Sequence, residues 1–453
     1  MFPTPDWMTN AYCSRRGFLR GGIMGSMLFS GSSWLPCLAA ESTGNPNRKR
    51  ACILLWMSGG PSQMDTFDLK PGHENGGPFK EIETSASGIR ISEHLPKIAQ
   101  LMQHVSLIRS MSTKEGDHTR AMQFLHTGYA PAGPVLYPTL GSLVCKELSS
   151  PQADLPGYVS VAPSRAISPL AHSPGFLGAS YAPMIVGSGS GNVRENADWA
   201  MLDRSLRVEN LVPPPNVPAD ETDRRLALLQ MQEEQFRKQR PDVPVLSHQS
   251  AYEKAARLMR SSAAEAFQLN KEPEALRARY GKSQFGQGCL LARRLIERGV
   301  PFVEVSLNGA GGILSWDSHQ QNFATVKTLS EILDAGWSTL LEDLQQRGLL
   351  ENTLVVWMGE FGRTPKINNN TGRDHFPDAW TTALCGGGIR GGQVIGKTSP
   401  DGMKVAERSV GTSDFLATVC RAVGIDPDKE NISNVGRPIP IVDRGAKPVV
   451  ELF

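Results

Sequence analysis

The sequence predicts an α/β protein: an α/β/α sandwich built on a mostly parallel central sheet. Three observations carry this. Short apolar runs such as Ala51–Met57, Phe302–Leu307 and Leu354–Met358 are bounded by polar residues, the pattern of strands buried on both faces. Segments of helical period lie between them, as the crossovers of a parallel sheet require. Acids, histidines and arginines gather just past several runs, at the strand ends where open α/β sheets bind ligands.

Composition narrows the class. With 453 residues, 40% hydrophobic and 20% charged, the chain has the makeup of an ordinary globular protein with a large core. A formal charge of +2 lacks the basic footprint of a nucleic-acid binder. The 32 prolines and 45 glycines imply many ordered loops.

The N-terminus reads as an address. Ser14-Arg15-Arg16-Gly17-Phe18-Leu19-Arg20 is a twin-arginine pattern before a glycine-rich apolar run, and Leu38-Ala39-Ala40 offers a cleavage site. Residues 1–40 are therefore expected to be a signal peptide, with a single domain over 41–453 and export to the periplasm or beyond. No transmembrane span is expected in the mature chain. Five cysteines remain (Cys52, Cys145, Cys289, Cys385, Cys420), an odd number without CxxC spacing, so buried free thiols are expected.

Taken in order, Ala51–Met57 is the first strand, and Gly59-Gly60-Pro61-Ser62 turns the chain toward Asp65, a carboxylate suited to a divalent metal or to a local turn. Ser92 is expected to cap a helix through about Gln103, with His94 a structural residue. Val105–Ile108 is the next strand, leading to a helix that starts near Asp117-His118-Thr119, where free N–H groups suit an anion or an attacking group. Leu136–Leu148 reads as a helix and Gly157–Val161 as a strand. A loop and helical insertion is expected over about 164–280. Gln287–Arg298 is amphipathic and feeds strand Phe302–Leu307; Gly309–Gly312 loosens the chain before Asp317 and His319, two residues apart and able to reach one metal. A long helix, Thr325–Gln346, delivers the strand ending at Met358. Past it come Glu360, Arg363, Arg373, Asp374 and His375. A last helix follows Thr412 and stops at Gly424.

Strand-end carboxylates and imidazoles suit one or two Zn²⁺, Mn²⁺, Mg²⁺ or Ca²⁺ ions rather than a thiolate metal, with Arg363 and Arg373 available to clamp an oxyanion. The segments GGPSQMDTFDLKPG, ISEHLPKIAQLM, GFLGASYAPM, LLARRLIERGVPFVEV, WDSHQQNF and GEFGRTPKINNNTGRDHFPDAW resemble the bacterial domain-of-unknown-function 1501 family, from about Arg50 to Asp426. That family is similar in fold to the alkaline phosphatase and sulfatase superfamily. The resemblance implies an alkaline phosphatase-like sandwich, Asp65 as the metal carboxylate after the first strand, and a nucleophile turn at Asp117-His118 before a helix ending His126-Thr127-Gly128. Where relatives place serine, threonine or a modified cysteine, this chain has His118 with Thr119 beside it. The metal set then comprises Asp65, Asp317, His319, Glu360, Asp374 and His375. The expected function is an exported metal-dependent hydrolase of a phosphate or sulfate ester, small-molecule or glycan. The alternative is a periplasmic binding or assembly protein that keeps such a site without catalysis.

Overall fold

The structure is a computed structural model describing residues 50–150, 152–187, 197–209, 211, 217–239, 243–308 and 315–453. Residues 1–40, expected from sequence to be a signal peptide, and Gly309–Gly312 lie outside the described residues.

The chain enters the core at once. β1 (Ala51–Met57) has every residue buried, because its two faces serve two cores. Cys52, Leu54 and Trp56 face one, while Ile53, Leu55 and Met57 face the other. Its neighbours are β7 (Phe302–Leu307) and β8 (Thr353–Met358), both parallel to it. A short hairpin, β2 (Glu81–Glu83) and β3 (Arg90–Ser92), lies outside this sheet, which is completed by β4 (Val105–Met111), β5 (Tyr158–Val161), β6 (Met184–Val186), β11 (Trp380–Cys385) and β12 (Val394–Ile395). The order is β12-β4-β11-β8-β1-β7-β5-β6. Only β11 runs against its neighbours. A two-residue ribbon, β9 (Gly362–Arg363) with β10 (His375–Phe376), folds over the ends of β1 and β8.

Helices cover both faces. α1 (Gln63–Thr66) and α2 (Pro96–Ala99) are single turns; α3 (His118–Thr127), α4 (Leu140–Leu148) and α7 (Thr412–Val423) pack on the face of Cys52 and Trp56. α5 (Gln284–Glu297) and α6 (Asn322–Gln346) cover the other face, where Trp337 of α6 stacks on Trp357 of β8 at 6.2 Å. The stretch from about 164 to 280 carries 3-10 turns and the helices Trp199–Ser205, Ala219–Gln239, Val243–Arg260 and Glu274–Tyr280, and it also supplies β6 to the sheet edge. No helix among the described residues is long and apolar enough to cross a membrane.

Two helices differ from expectation. The segment from Ser92 to Gln103 holds one helical turn, Pro96–Ala99, and a 3-10 turn at Met102–His104. Ser92 is committed to the hairpin opposite Glu81. The cap comes instead from Asp334 of α6, whose carboxylate accepts from the N–H groups of Lys97 at 3.1 Å and Ile98 at 2.8 Å. α4 starts at Leu140 rather than Leu136, because Thr139 caps it by accepting from Ser142 N at 3.3 Å and Pro138 disfavours helix before it.

Candidate metal centre

The parallel strands β1, β4, β7 and β8 present their carboxyl ends on one edge, and the loops leaving them meet there. Gly59 follows β1, His118 starts the helix after β4, Asp317 and His319 follow β7, and Glu360 follows β8. Crowding at this edge is tight. Gly59 has φ +106°, and a Cβ placed on it would lie 2.4 Å from Asp317 N, so only glycine lets the two loops cross. The 364–374 loop is laced to the Asp317 turn: Arg373 N donates to Ser318 O at 3.0 Å and Asn322 N to Thr371 O at 2.9 Å.

Asp317 is the hub. Its Oδ1 accepts from Arg363 Nη2 at 2.6 Å and lies 3.3 Å from His118 Nε2, 3.1 Å from His319 Nε2 and 3.3 Å from His375 Nε2. His319 Nε2 and His375 Nε2 are 3.0 Å apart. The far nitrogen of each ring is already held. His118 Nδ1 is 2.7 Å from Glu360 Oε1, His319 Nδ1 is 2.7 Å from Asp374 Oδ1, and His375 Nδ1 is 2.7 Å from Gly116 O. A carbonyl and two ionised carboxylates only accept, which assigns the proton of each neutral ring to Nδ1 and leaves a lone pair on Nε2. Three lone pairs thus converge on one carboxylate oxygen. Such an arrangement repels itself unless a cation sits within it, and a proton or a metal ion fills that role.

The donor set fits a metal. Ligand atoms of His118, Asp317 and His375 lie within 4.8 Å of one another, with His319 beside them. An acceptor behind each imidazole is what orients metal-ligating histidines. Glu360 is itself fixed, since its Oε1 also accepts from Gly59 N at 2.8 Å.

In the metal-free protein a proton takes the cation's place. Burial disfavours charge on His118, but its hydrogen bonds with Asp317 and Glu360 outweigh this and raise it to about 9. Asp317 is held well below the usual carboxylate range: burial opposes ionisation, yet His118, His375 and Arg363 override it. The raised histidine stabilises the fold fully below its ordinary pKa of 6.5, and that stability is lost as pH climbs through about 9. Metal-free protein should therefore lose roughly 3 kcal/mol of unfolding free energy across that window, measured with denaturant. His118→Gln should flatten the loss; an unchanged slope in that variant would detach it from His118.

The other expected site residues lie elsewhere in the network. Asp65 and Arg373 are fully buried and pair with each other, Nε to Oδ2 at 2.7 Å and Nη2 to Oδ1 at 3.1 Å. Asn322 Nδ2 adds a bond to Asp65 Oδ2 at 2.8 Å. The remaining donors of Arg373 go to the carbonyls of Thr364, Pro365 and Asn75. Arg363 is equally occupied, by Asp317 and the carbonyls of Gly59, Gly60 and Arg373. Neither guanidinium faces open space as a clamp. The Thr119 hydroxyl donates to Ile167 O at 3.2 Å rather than joining the histidines. Glu360 and Asp374 stand behind imidazoles. Two contributors escape sequence reading: Gln63, whose amide brackets the backbone of Arg363 at 2.8 and 2.9 Å, and Gly116, which acts through its carbonyl. Only Gly116 leaves a hint, as the glycine just before the α3 cap.

A family model described as "Protein of unknown function (DUF1501)" matches residues 49–453. No curated protein matches the chain. Solved structures that match include a sulfatase from Pseudoalteromonas sp., 13% identical over 87% of this chain and 72% of that one, TM-score 0.38. Another is a phosphonate monoester hydrolase of Agrobacterium radiobacter, 14% identical over 89% and 77%, TM-score 0.34. A third is a protein in the alkaline phosphatase superfamily from Vibrio parahaemolyticus, 12% identical over 88% and 76%, TM-score 0.34. Since the family model covers all but the first 48 residues, the chain belongs to the DUF1501 family.

Proposed function

We propose that this chain is an exported metal-dependent hydrolase of a phosphate or sulfate ester. The observation that carries the reading is the convergence of three imidazole Nε2 atoms on Asp317, each ring braced from behind. Three imidazoles favour Zn²⁺, or Mn²⁺, over Mg²⁺ and Ca²⁺. His118, Asp317, His319 and His375 would hold a divalent ion, which would supply Lewis acidity toward an ester oxygen and lower the pKa of a water. Glu360, Asp374 and the Gly116 carbonyl keep the three rings in register. Arg363 keeps Asp317 ionised. Attack falls to water, because Thr119 is turned to Ile167 and all five described cysteines are buried. Asp374, with its side chain 55% exposed, stands on the solvent side. Its bond to His319 lowers its pKa, so it stays ionised and holds the Nδ1 proton of that ring in place. The ester class rests on the motif resemblance.

A non-catalytic binding or assembly role is the second reading. It is favoured by the two arginines, both consumed inside the protein rather than aimed at an anion. One experiment separates the two. Chelator-stripped protein is reloaded with Zn²⁺, Mn²⁺, Mg²⁺ or Ca²⁺ and offered aryl phosphates and aryl sulfates. Turnover restored by Zn²⁺ or Mn²⁺ is expected; a bound equivalent with no turnover on any ester would leave the binding role.

Export is part of the proposal and rests on the residues around Arg15-Arg16. Changing both to lysine should hold the precursor inside the cell in a fractionation assay. Equal export of the double variant would remove this element.

A further inference from the structure

A second cluster lies away from the strand ends, sealed between the sheet and α3. Glu304 sits mid-way along β7, in FVEVSL, on the face that carries Phe302. It is wholly buried, as are His126 near the end of α3 and His172 in the 3-10 turn Pro169–His172, each only 4% exposed. His126 Nε2 lies 3.6 Å from Glu304 Oε2, and His172 Nδ1 lies 3.6 Å from Glu304 Oε1. The three ligand atoms fall within 4.8 Å of one another. Among the described residues these histidines are the only ion-pair partners of Glu304.

Hydrogen-bond logic leaves the cluster incomplete. His126 Nδ1 is 2.7 Å from Met122 O, a carbonyl that only accepts, so Nδ1 carries the proton and Nε2 of the neutral ring presents a lone pair. That lone pair faces a carboxylate oxygen. His126 Nε2 and both nitrogens of His172 are buried without a hydrogen-bond partner. Had an imidazolium–carboxylate pair formed here, the atoms would close to about 2.7–2.9 Å. Instead each nitrogen stands off by 3.6 Å, near the ~3.4 Å separation of two ligands on a tetrahedral ion at about 2.1 Å. Tyr158 braces the carboxylate from behind, its hydroxyl donating to Glu304 Oε2 at 2.8 Å, the kind of outer partner a metal ligand keeps.

We propose that Glu304, His126 and His172 form a second, buried site for a divalent transition metal of the zinc class. It is separate from the strand-end centre: His118 and His126 are eight residues apart on α3, about 12 Å along its axis. Glu304 supplies both oxygens, His126 its Nε2 and His172 its Nδ1. The ion answers two of the three orphaned nitrogens and neutralises a carboxylate that otherwise has no cation. It would pin α3, whose first residue is His118, to β7.

The test uses the full chain and zinc. Purified protein is loaded with Zn²⁺, dialysed, and measured for metal, alongside His375→Ala and Glu304→Gln. One tightly held equivalent should survive in His375→Ala and be lost in Glu304→Gln, whatever the strand-end centre does. If Glu304→Gln retains everything that wild type holds, the proposal is overturned. Should Glu304→Gln fail to fold, anomalous diffraction at the zinc edge from wild-type crystals decides it. A peak between Glu304 and His126 is expected, and its absence from zinc-loaded crystals overturns the site. Zinc at Glu304 with none at Asp317 would keep this site and defeat the hydrolase reading.

Discussion

Asp317→Asn should empty the strand-end centre and end any ester turnover. An amide keeps the size of the carboxylate but not its charge, and three Nε2 lone pairs no longer face an anion that draws a cation among them. Glu360→Gln, which touches only the back of His118, sets the comparison: loss of such an outer partner costs about 10–100-fold in affinity or activity. Asp317→Asn should lose more than that, with metal falling by one equivalent. It also leaves Arg363, whose side chain is wholly buried, without its carboxylate. Stranding a buried charge costs about 3–5 kcal/mol, and the carbonyls of Gly59, Gly60 and Arg373 should hold the loss to the low end. Metal analysis and denaturant unfolding read the two effects separately. Full metal content in Asp317→Asn would sink the assignment of the hub.

Asp65→Asn should do the reverse, lowering stability while leaving bound metal unchanged. Asp65 and Arg373 have no exposed side-chain surface and form a two-pronged pair. Breaking such a pair from one side leaves an uncompensated buried cation, worth about 3–5 kcal/mol. For a chain of this size the melting temperature should drop by about 4–6 °C. If metal content falls instead while the melting temperature holds, Asp65 is a ligand, as the family resemblance implies, and its pairing with Arg373 is secondary.

The contrast between these two aspartates marks where sequence reading stops. β1 and β8 are legible because strands buried on both faces leave apolar runs, β7 despite its inward Glu304, and their parallel pairing follows from the helices between them. β11 is not. Its residues Trp380–Cys385 include two threonines, and it is a strand through β8 just before it in the chain and through β4, contributed by distant sequence. That His118, Asp317, Glu360 and His375 gather at strand ends follows from topology. Which acid stands behind which base does not, because those pairings join residues 242 positions apart for His118 with Glu360 and 308 apart for Arg373 with Asp65. Glu304 is a different case: a carboxylate inside an apolar run is a visible signal, and its two histidines are what the sequence hides.

The strand order has a consequence in time. β1 is the first strand made, yet both of its neighbours, β7 and β8, come from the last third of the chain. Some 300 residues separate the start of β1 at Ala51 from that of β8 at Thr353, roughly 15–60 s of synthesis at about 5–20 residues per second. Until β7 is made, the segment Ala-Cys-Ile-Leu-Leu-Trp-Met has no partner on either edge, and until β8 is made one edge stays open. It is apolar, uncharged and free of proline, the makeup of a segment that pairs with copies of itself. Nascent chains are thus most exposed to aggregation before β7 is made, and a holding chaperone that covers residues 51–57 would raise folded yield more than one acting on the finished chain.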